Sequence, residues 1–246
     1  YYRRPYKSIK GKGSMNLNFR TSALLSAYNY EYVHVENLFQ RAFRKFYLKT
    51  RLFGFLGFGT KWAPESMLFL AGANPERINE NKFTRAEGVF TKNQTQFGDN
   101  INTFHSGGGL NLRGYAGYLA PEFNKDGTIA SFNYNGTSGA SFNTEVDFTA
   151  YLPYSIRKYN ISSYLFADAG IISSEEINKD NYKTAFGDFR ADAGIGFTYT
   201  FQNFGPLESI KPLVIRFDMP LVLNRAPASD DDFVQMRWLI GINRAF

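Results

Sequence analysis

Apolar and polar residues alternate along most of this chain, and the alternation is clearest near the C-terminus. From Val234 to Ile242 the even-numbered residues are all apolar, whereas the odd-numbered residues from Gln235 to Asn243 are mostly polar or glycine. Because successive side chains of a β-strand point to opposite faces, this period of two predicts strands with one apolar and one polar face. Seven such strands are predicted, at about residues 14–32, 46–58, 142–152, 161–171, 190–199, 213–221 and 234–246.

The lengths of these strands and of their links favour a barrel that crosses a membrane. The strands run to about 12 to 16 residues, which exceeds the usual five or six of globular sheets and is enough to cross a bilayer. Short links at residues 38–44, 153–157 and 202–209 alternate with longer polar links at 60–135, 173–186 and 223–232. Outer-membrane barrels combine short periplasmic turns with long outer loops in this way. We therefore predict an all-β fold, a transmembrane antiparallel β-barrel, with a soluble β-sandwich as the alternative.

Two details refine this prediction. Short helices are expected in two of the long links, one at Asn74-Pro75-Glu76 and one within residues 173–184. Aromatic residues make up 17% of the chain and gather at the ends of the short links, as an interfacial girdle would require. The residues concerned are Phe43, Phe46, Tyr151, Tyr154, Tyr159, Phe201, Phe204 and Phe246.

Composition and charge narrow the classes of partner. No run of about 18 apolar residues occurs, so the sequence excludes a transmembrane helix. The net charge of +6 is spread over the chain, and we therefore expect no nucleic-acid partner. Arg3, Arg4, Lys7, Lys10 and Lys12 are candidates for contact with lipopolysaccharide phosphates at the barrel rim, although a soluble loop would carry them equally well.

Seven strands cannot form a complete barrel in lipid. An odd antiparallel sheet leaves two unpaired edges, and each unsatisfied backbone group costs several kcal/mol in hydrocarbon. Either residues 1–10 supply an eighth strand, or residues 1–246 are the C-terminal part of a larger barrel. We favour the second interpretation.

The long link 60–135 carries the most distinctive stretch, a glycine-rich segment that ends in Leu112-Arg113-Gly114-Tyr115. So many glycines disfavour a helix and suit a tight backbone turn with positive φ. A link of this length inside a compact domain is usually functional. The glycine-rich segment presents a single cation, Arg113, with Tyr115 beside it.

The strands that follow this segment offer acidic partners for Arg113. Phe166, Asp168 and Gly170 share one strand face, and Glu145 or Asp147 points the same way from the preceding strand. A guanidinium has five donors and binds carboxylates on two strands at once.

We therefore predict that Arg113 locks the long loop inside the barrel, and that Gly114 and Gly170 allow the close approach. In the alternative, Arg113 lies at a solvated loop tip and Asp168 pairs with Arg190 or Arg216 across the sheet.

These motifs resemble a known family. Leu112-Arg113-Gly114-Tyr115 is similar to the Arg-Gly-Tyr/Phe loop motif of the outer-membrane barrel-assembly and two-partner-secretion transporter superfamily. Phe166-Ala167-Asp168-Ala169-Gly170 resembles its Phe-x-Asp-x-Gly strand motif, and Thr144-Glu145-Val146-Asp147-Phe148 resembles the strand between. The last strand, ending Gly-Ile-Asn-Arg-Ala-Phe, fits the outer-membrane terminal signature. The match covers roughly residues 45–246.

The resemblance implies a sixteen-stranded barrel of which this chain holds about the last seven strands. It further implies a protein of the Gram-negative outer membrane, surrounded by lipid and lipopolysaccharide, that inserts other outer-membrane proteins or exports a client polypeptide, with possible accessory subunits. In that family the seam between first and last strand opens, so Gly241 and Phe246 of the last strand would line one side of it.

Two other classes of function stay open: a membrane anchor for an upstream peptidase or lipase domain, and a small passive porin or adhesin. We expect no catalytic residue, cofactor or metal in this chain, since its two histidines, His34 and His105, lack any metal-binding spacing.

Overall fold

The computed structural model of the protein describes residues 2–8, 11–22, 25–80, 104–118, 120–123, 127, 129–154, 159–176, 183–201, 213–225 and 233–246. Strands make up most of this part of the chain, together with a few 3-10 turns and one short helix, α1 (Pro75–Glu80). The strands are β1 (Tyr2–Ser8), β2 (Gly11–Thr21), β3 (Asn29–Phe43), β4 (Phe46–Lys61), β5 (Leu68–Phe69), β6 (Pro121–Phe123), β7 (Ile129–Phe132), β8 (Asn135–Gly136), β9 (Ser138–Asp147), β10 (Ile161–Glu176), β11 (Lys183–Phe186), β12 (Arg190–Phe201), β13 (Leu213–Leu223) and β14 (Leu239–Ile242).

A single 10-stranded antiparallel sheet, which we call the main sheet, dominates the fold. Its strands follow the order β1-β2-β3-β4-β9-β10-β12-β13-β14, with β11 paired to the end of β10. The pairs β5–β8 and β6–β7 form two small sheets. The all-β, antiparallel part of the prediction is therefore confirmed. Within the described residues no pairing joins β1 to β14, so the main sheet is not a closed ring there.

No helix in the described residues is both long and apolar enough to cross a membrane.

The N-terminal strands differ from the prediction. Residues 14–32 are not one strand, because β2 and β3 pair with each other as a hairpin. The predicted link 38–44 is also wrong, because β3 continues to Phe43 and only Arg44 and Lys45 separate it from β4. The rings of Phe43 and Phe46 stack beside this tight turn with their centroids 4.8 Å apart. Residues 2–8 form a strand, β1, which pairs with β2.

The link 173–186 is the second correction. Instead of a loop with a helix, β10 runs on to Glu176 and its last residues pair with β11 from Ser173↔Phe186 to Glu176↔Lys183. Cross-strand pairing overrides the helix propensity of the two glutamates. The helix predicted at Asn74-Pro75-Glu76 is confirmed as α1, and the Asn74 side chain accepts a hydrogen bond from the Arg77 amide at 3.0 Å.

The last predicted strand is shorter than residues 234–246. Val234 makes only an isolated bridge to Val222, and the ladder with β13 is limited to Leu239–Ile242. The chain then bends at Asn243, which has a left-handed φ of 66°. Residues 202–212, with Phe204, and 226–232 lie outside the described residues, as does Lys10.

The alternation predicted from the sequence divides the main sheet into two unlike faces. The outer face carries large apolar side chains that are well exposed; they include Leu17, Phe19, Leu52, Leu56, Phe142, Leu165, Ile215, Phe217, Trp238 and Ile240. The inner face carries buried charged and amide side chains, among them Arg51, Asn143, Glu145, Asp168, Asp192, Arg216 and Asp218. Polarity is therefore reversed relative to a sheet that packs its apolar face inward.

The described residues between 62 and 137, namely 62–80, 104–118, 120–123, 127 and 129–137, cover the polar inner face, and we call them the inner loop. A buried apolar cluster joins this loop to β3 and β4; its members include Tyr30, Tyr32, Phe53, Phe55, Leu68, Leu70, Leu110, Leu112 and Tyr115. The Leu110 amide donates a hydrogen bond to the Phe69 carbonyl at 3.0 Å, which joins the part of the loop before residue 81 to the part after residue 103. The loop is thus a packed element and carries its glycine-rich segment against the centre of the sheet.

Candidate functional site

The glycine-rich segment folds tightly because several residues adopt left-handed backbone angles. Gly108, Gly109 and Asn111 have φ values of 147°, 53° and 60°. A side chain at Gly109 would also place a Cβ 2.4 Å from the carbonyl oxygens of both Phe69 and Gly72. Only glycine satisfies both the angle and the contact. The segment then enters a 3-10 turn, Arg113–Tyr115, which directs the Arg113 side chain at the sheet.

The Arg113 side chain is fully buried and binds two carboxylates on neighbouring strands. Its Nε and Nη2 atoms donate to the Oδ2 and Oδ1 atoms of Asp168 on β10, at 2.7 and 3.1 Å. Its Nη1 atom donates to Glu145 Oε1 on β9 at 2.9 Å. The Phe166 ring lies against the guanidinium, with 3.8 Å between the Arg113 Cζ atom and the ring centroid. Four predicted residues therefore meet at one point.

Electrostatics makes this contact a strong one. Burial by itself would lower the pKa of the Arg113 guanidinium, but the carboxylates of Asp168, Asp218 and Glu145 outweigh it and hold that pKa well above its ordinary value. Asp218 lies 3.9 Å from the Arg113 Nη1 atom. Removing one partner of such a buried pair leaves an uncompensated charge and costs about 3–5 kcal/mol.

The two predicted glycines lie where the inner loop and the sheet approach most closely. A Cβ on Gly114 would be 2.5 Å from the Cβ of Asp192 on β12. A Cβ on Gly170 would be 2.8 Å from the Ala140 carbonyl oxygen and 3.0 Å from the Leu112 side chain. Both positions therefore exclude larger residues unless the neighbours move.

Tyr115 is held by a separate polar contact. Its hydroxyl donates to the Asn224 Oδ1 atom at 2.8 Å, and burial raises the pKa of the Tyr115 phenol to about 12. The phenol is therefore a neutral donor at physiological pH.

Three other predicted residues have different roles from the lock. Asp147 does not contact Arg113. It lies two residues after Glu145, at the end of β9, and its carboxylate pairs with Arg244 at 3.3 Å. Phe246 lies at the edge of the site, with 5.9 Å from the Arg113 Cζ atom to its ring centroid. Gly241 lies on β14, where a Cβ would be 2.6 Å from Arg216 Nη2.

The alternative pairing of Asp168 with Arg190 or Arg216 is not observed in the described residues. Arg190 pairs with Glu122 at 3.0 Å, and Arg216 pairs with Asp218 at 2.8 Å. The cation that pairs with Asp168 is Arg113 of the inner loop.

Four arginines of the sheet side hold the inner loop by its backbone, and the sequence reasoning did not identify them as a set. Each donates from Nη2 to a loop carbonyl: Arg51 to Gly109 at 2.8 Å, Arg190 to Pro121 at 3.2 Å, Arg216 to His105 at 3.2 Å, and Arg237 to Ala116 at 2.5 Å. The only sequence signal was their position on the polar face of each strand. The loop is thus anchored along much of its described length.

Asn143 connects the lock with this backbone set. Its amide nitrogen lies 3.1 Å from the carbonyl oxygens of Leu110 and Asn111 and from Asp168 Oδ1. Its side-chain oxygen accepts from Arg51 Nη1 at 2.9 Å. A buried network of this kind fixes one position of the loop, because each missing partner would leave a polar group unsatisfied.

His105 contacts the last strands and is neutral. Its Nδ1 atom lies 2.5 Å from Arg216 Nη2, and since arginine only donates, this nitrogen is the acceptor. Burial, reinforced by the charges of Arg216 and Arg113, holds the pKa of the His105 imidazole well below its ordinary value. In the described part of the chain no group of three or more His, Asp or Glu side chains is arranged to hold a metal ion.

Comparison with known proteins adds no family assignment. Neither a scan against protein-family models nor a search of curated proteins found a match for this chain. The superfamily resemblance carried by the Arg113 and Asp168 motifs therefore stays a prediction.

Proposed function

We propose that the chain is the C-terminal part of a transmembrane β-barrel of the bacterial outer membrane, and that this barrel inserts other outer-membrane proteins or translocates polypeptide. One observation carries the proposal: the main sheet exposes its apolar face and buries its charged face. A sheet that met water would cover the apolar face instead. Lipid around the outer face removes this conflict.

The contrast between adjacent residues supports a lipid-facing surface. The Leu52 side chain is 61% exposed, whereas its neighbour Arg51 is 1% exposed. Large exposed apolar surfaces of this kind mark contact with a membrane or a partner. β4 and β10 each contain 16 residues, which exceeds the roughly 9–11 that a tilted strand needs to cross a bilayer.

Aromatic residues at one end of the sheet fit the same proposal. Three tyrosines lie between the end of β9 and the start of β10, and each is more than half exposed: Tyr151, Tyr154 and Tyr159. Tyrosines prefer the boundary between lipid and water, where the ring is buried and the hydroxyl stays hydrated.

The filled inner face favours polypeptide handling over passive diffusion. A porin needs an open, polar interior. Here the inner loop covers the polar face and is fixed by Arg113 and four further arginines. A locked inner element suits a barrel whose interior must stay sealed until a client polypeptide is engaged, which agrees with the two activities that the resemblance implies.

Reconstitution of the purified chain in phospholipid vesicles tests this function. An unfolded eight-stranded outer-membrane protein is added, and its folding is followed by protease resistance. We expect faster folding than in empty vesicles, and slower folding with Arg113→Ala than with Arg225→Ala, a matched control at the half-exposed pair with Asp188. Protease protection of an unfolded peptide added outside would instead indicate translocation. If the wild-type chain promotes neither, the proposal is wrong.

A further inference from the structure

A cavity of about 320 Å³ lies between the inner face of the main sheet and the first part of the inner loop. Side chains of β2, β3 and β4 form its sheet side, and residues 67–69, 74, 76, 77 and 109 of the inner loop complete the lining. Each of the three strands is paired on both sides, so the sheet is continuous behind the cavity. The volume is within the range of about 300–1,000 Å³ that small-ligand sites occupy.

Aromatic rings form one part of the lining. Tyr32, Phe53 and Phe55 are buried, whereas the His34 ring, which packs against all three, is only partly buried. The ring centroids of His34 and Phe53 are 5.6 Å apart. The face of an aromatic ring carries negative charge and attracts the weakly positive C–H groups of a ligand. The cavity therefore offers a platform, at His34, for a ligand surface that consists of C–H groups.

Polar groups without a protein partner form another part of the lining. The Asn16 amide nitrogen donates to Glu36 Oε2 at 3.0 Å, which fixes the orientation of that amide. Its oxygen is buried and accepts no hydrogen bond from the described residues. Among those same residues, the side chains of Asn18 and Arg77 find neither a hydrogen-bond partner nor an ion pair. A buried acceptor without a donor is unusual, and these groups together indicate a polar ligand.

The charges around the cavity argue against a charged ligand. Glu76 pairs with Arg20, and Glu36 pairs with Arg51 at 2.6 Å. An anionic ligand would meet the two glutamates, and a cationic ligand would meet Arg20 and Arg77, which also line the cavity. A neutral ligand with several hydroxyl groups avoids both conflicts, because each hydroxyl donates to an oxygen and accepts from a nitrogen.

We propose that this cavity binds a neutral saccharide. The C–H face of a sugar ring would lie on His34, and its hydroxyl groups would bond to Asn16, Asn18 and Arg77. A sugar ring combines the two properties that the lining requires, since one surface carries C–H groups and the rim carries hydroxyls. The volume suits a mono- or disaccharide. The proposal goes beyond the proposed function, because it holds whether or not the barrel handles polypeptide.

Sugar binding to the detergent-refolded protein tests the proposal. The detergent is lauryldimethylamine oxide, because alkyl maltosides carry a sugar headgroup that would compete. The probes are four neutral disaccharides: maltose, cellobiose, lactose and diacetylchitobiose. Saturation-transfer NMR measures the dissociation constant of each. We expect saturable binding of at least one of them, which inorganic phosphate, acetate or an unfolded peptide at the same concentration does not displace.

Two variants locate the sugar in the cavity. Asn18→Ala with Arg77→Ala should weaken binding about tenfold or more, because it removes hydrogen bonds that include one to a charged group. Asn18→Trp should abolish binding by filling the cavity. Arg225→Ala is the matched control, since this arginine pairs with Asp188 and does not line the cavity. Urea unfolding of the Asn18→Ala, Arg77→Ala variant should match wild type, since neither side chain loses a described partner.

Three results would overturn the saccharide site. The first is that none of the four disaccharides binds saturably. The second is that the double variant and Asn18→Trp both bind as tightly as Arg225→Ala, which would place the sugar elsewhere. The third is displacement by phosphate or acetate, which would indicate an anion site, or by the peptide, which would indicate a polypeptide site. None of these measurements depends on membrane insertion or translocation, so they leave the proposed function to its own test.

Discussion

Two of the contacts that attach the inner loop to the sheet, at Arg113 and at His105, contrast with each other. Arg113 contacts β9 and β10 in the middle of the sheet, where both strands are paired on each side. Its contacts are ionic and reach two carboxylates. His105 lies at the end of the sheet, where its amide donates to Ile240 on β14 and its neutral imidazole accepts from Arg216 on β13. Both side chains are buried, so burial alone does not separate the two attachments.

The difference between them lies in what each would leave behind on release. Freeing Arg113 would leave Asp168 buried without its cation and Glu145 with only Arg244, at 3.6 Å, which is costly. Freeing His105 would break its hydrogen bonds with Ile240 and Arg216 but leave no buried charge without a partner, since Arg216 also pairs with Asp218 at 2.8 Å. One attachment of the loop is thus ionic and costly to release and the other is neutral, and the variants below test this contrast in order of expected effect.

Arg113→Ala should have the largest effect on stability. We expect the free energy of unfolding to fall by about 3–5 kcal/mol, because the buried Asp168 loses its cation and Glu145 keeps only Arg244. Urea unfolding of the detergent-refolded protein measures this. Arg113→Lys should recover only part of the loss, since a lysine cannot bind both carboxylates in the same fork geometry. A loss below about 1 kcal/mol, typical of a surface pair, would show that the contact is not a lock.

Asp168→Asn and Asp147→Asn are a matched pair, because Asp168 contacts Arg113 and Asp147 does not. Asp168→Asn should cost about 2–3 kcal/mol, because it removes charge-assisted hydrogen bonds to Arg113. Asp147→Asn should cost less than about 1 kcal/mol, since its ionic partner Arg244 is partly exposed and an asparagine oxygen can still accept from the Thr149 amide. Equal losses in urea unfolding would mean that the sheet does not distinguish the two carboxylates.

Gly114→Ala tests the close approach beside the lock. The added Cβ would lie 2.5 Å from Asp192, so the turn must shift, and we expect a loss of about 1–3 kcal/mol. Thermal unfolding of this variant is compared with Gly54→Ala, which adds the same methyl group in open space. If the two variants unfold together, the turn has more room than its geometry indicates.

The pH dependence of stability gives the smallest effect and reports on His105. Above the unfolded pKa of about 6.5 the imidazole is neutral in both states; below it the unfolded chain binds a proton that the folded protein refuses, because burial lowers the folded pKa. Stability should therefore fall by about 1.4 kcal/mol between pH 7.5 and 5.5. Measured in a His34→Gln background, this contribution to the pH dependence should disappear on adding His105→Gln. An unchanged dependence would place its source elsewhere.

Sequence alone was enough to predict much of the attachment at Arg113. Strand parity put Phe166, Asp168 and Glu145 on one face, because a period of two fixes the direction of every side chain once the strand is recognised. It did not distinguish Glu145 from Asp147, since both share that parity and only the register between β9 and the inner loop decides which one meets Arg113.

The attachment at His105 was not predictable in this way. The bridge between Phe104 and Ile240 joins distant residues in parallel, and no local pattern encodes such a pair. The predicted strand was extended to Phe246 although Arg244 interrupts its apolar face, so the end of the ladder at Ile242, where Asn243 takes a left-handed angle, was missed. The arginines that hold the loop backbone were also missed. Their acceptors are backbone carbonyls, which every residue has, so the sequence does not show which of them an arginine will contact.

The central claim, that the apolar face of the sheet meets lipid and the inner loop does not, is tested most directly with the two tryptophans of the chain. Trp238 is 47% exposed on the outer face, and Trp62 stacks on Tyr30 beneath the sheet with centroids 4.9 Å apart. In vesicles of brominated phospholipid, Trp62→Phe should leave a fluorescence that is strongly quenched, and Trp238→Phe one that is nearly unquenched. Equal quenching of the two variants, or the reverse order, would contradict the account.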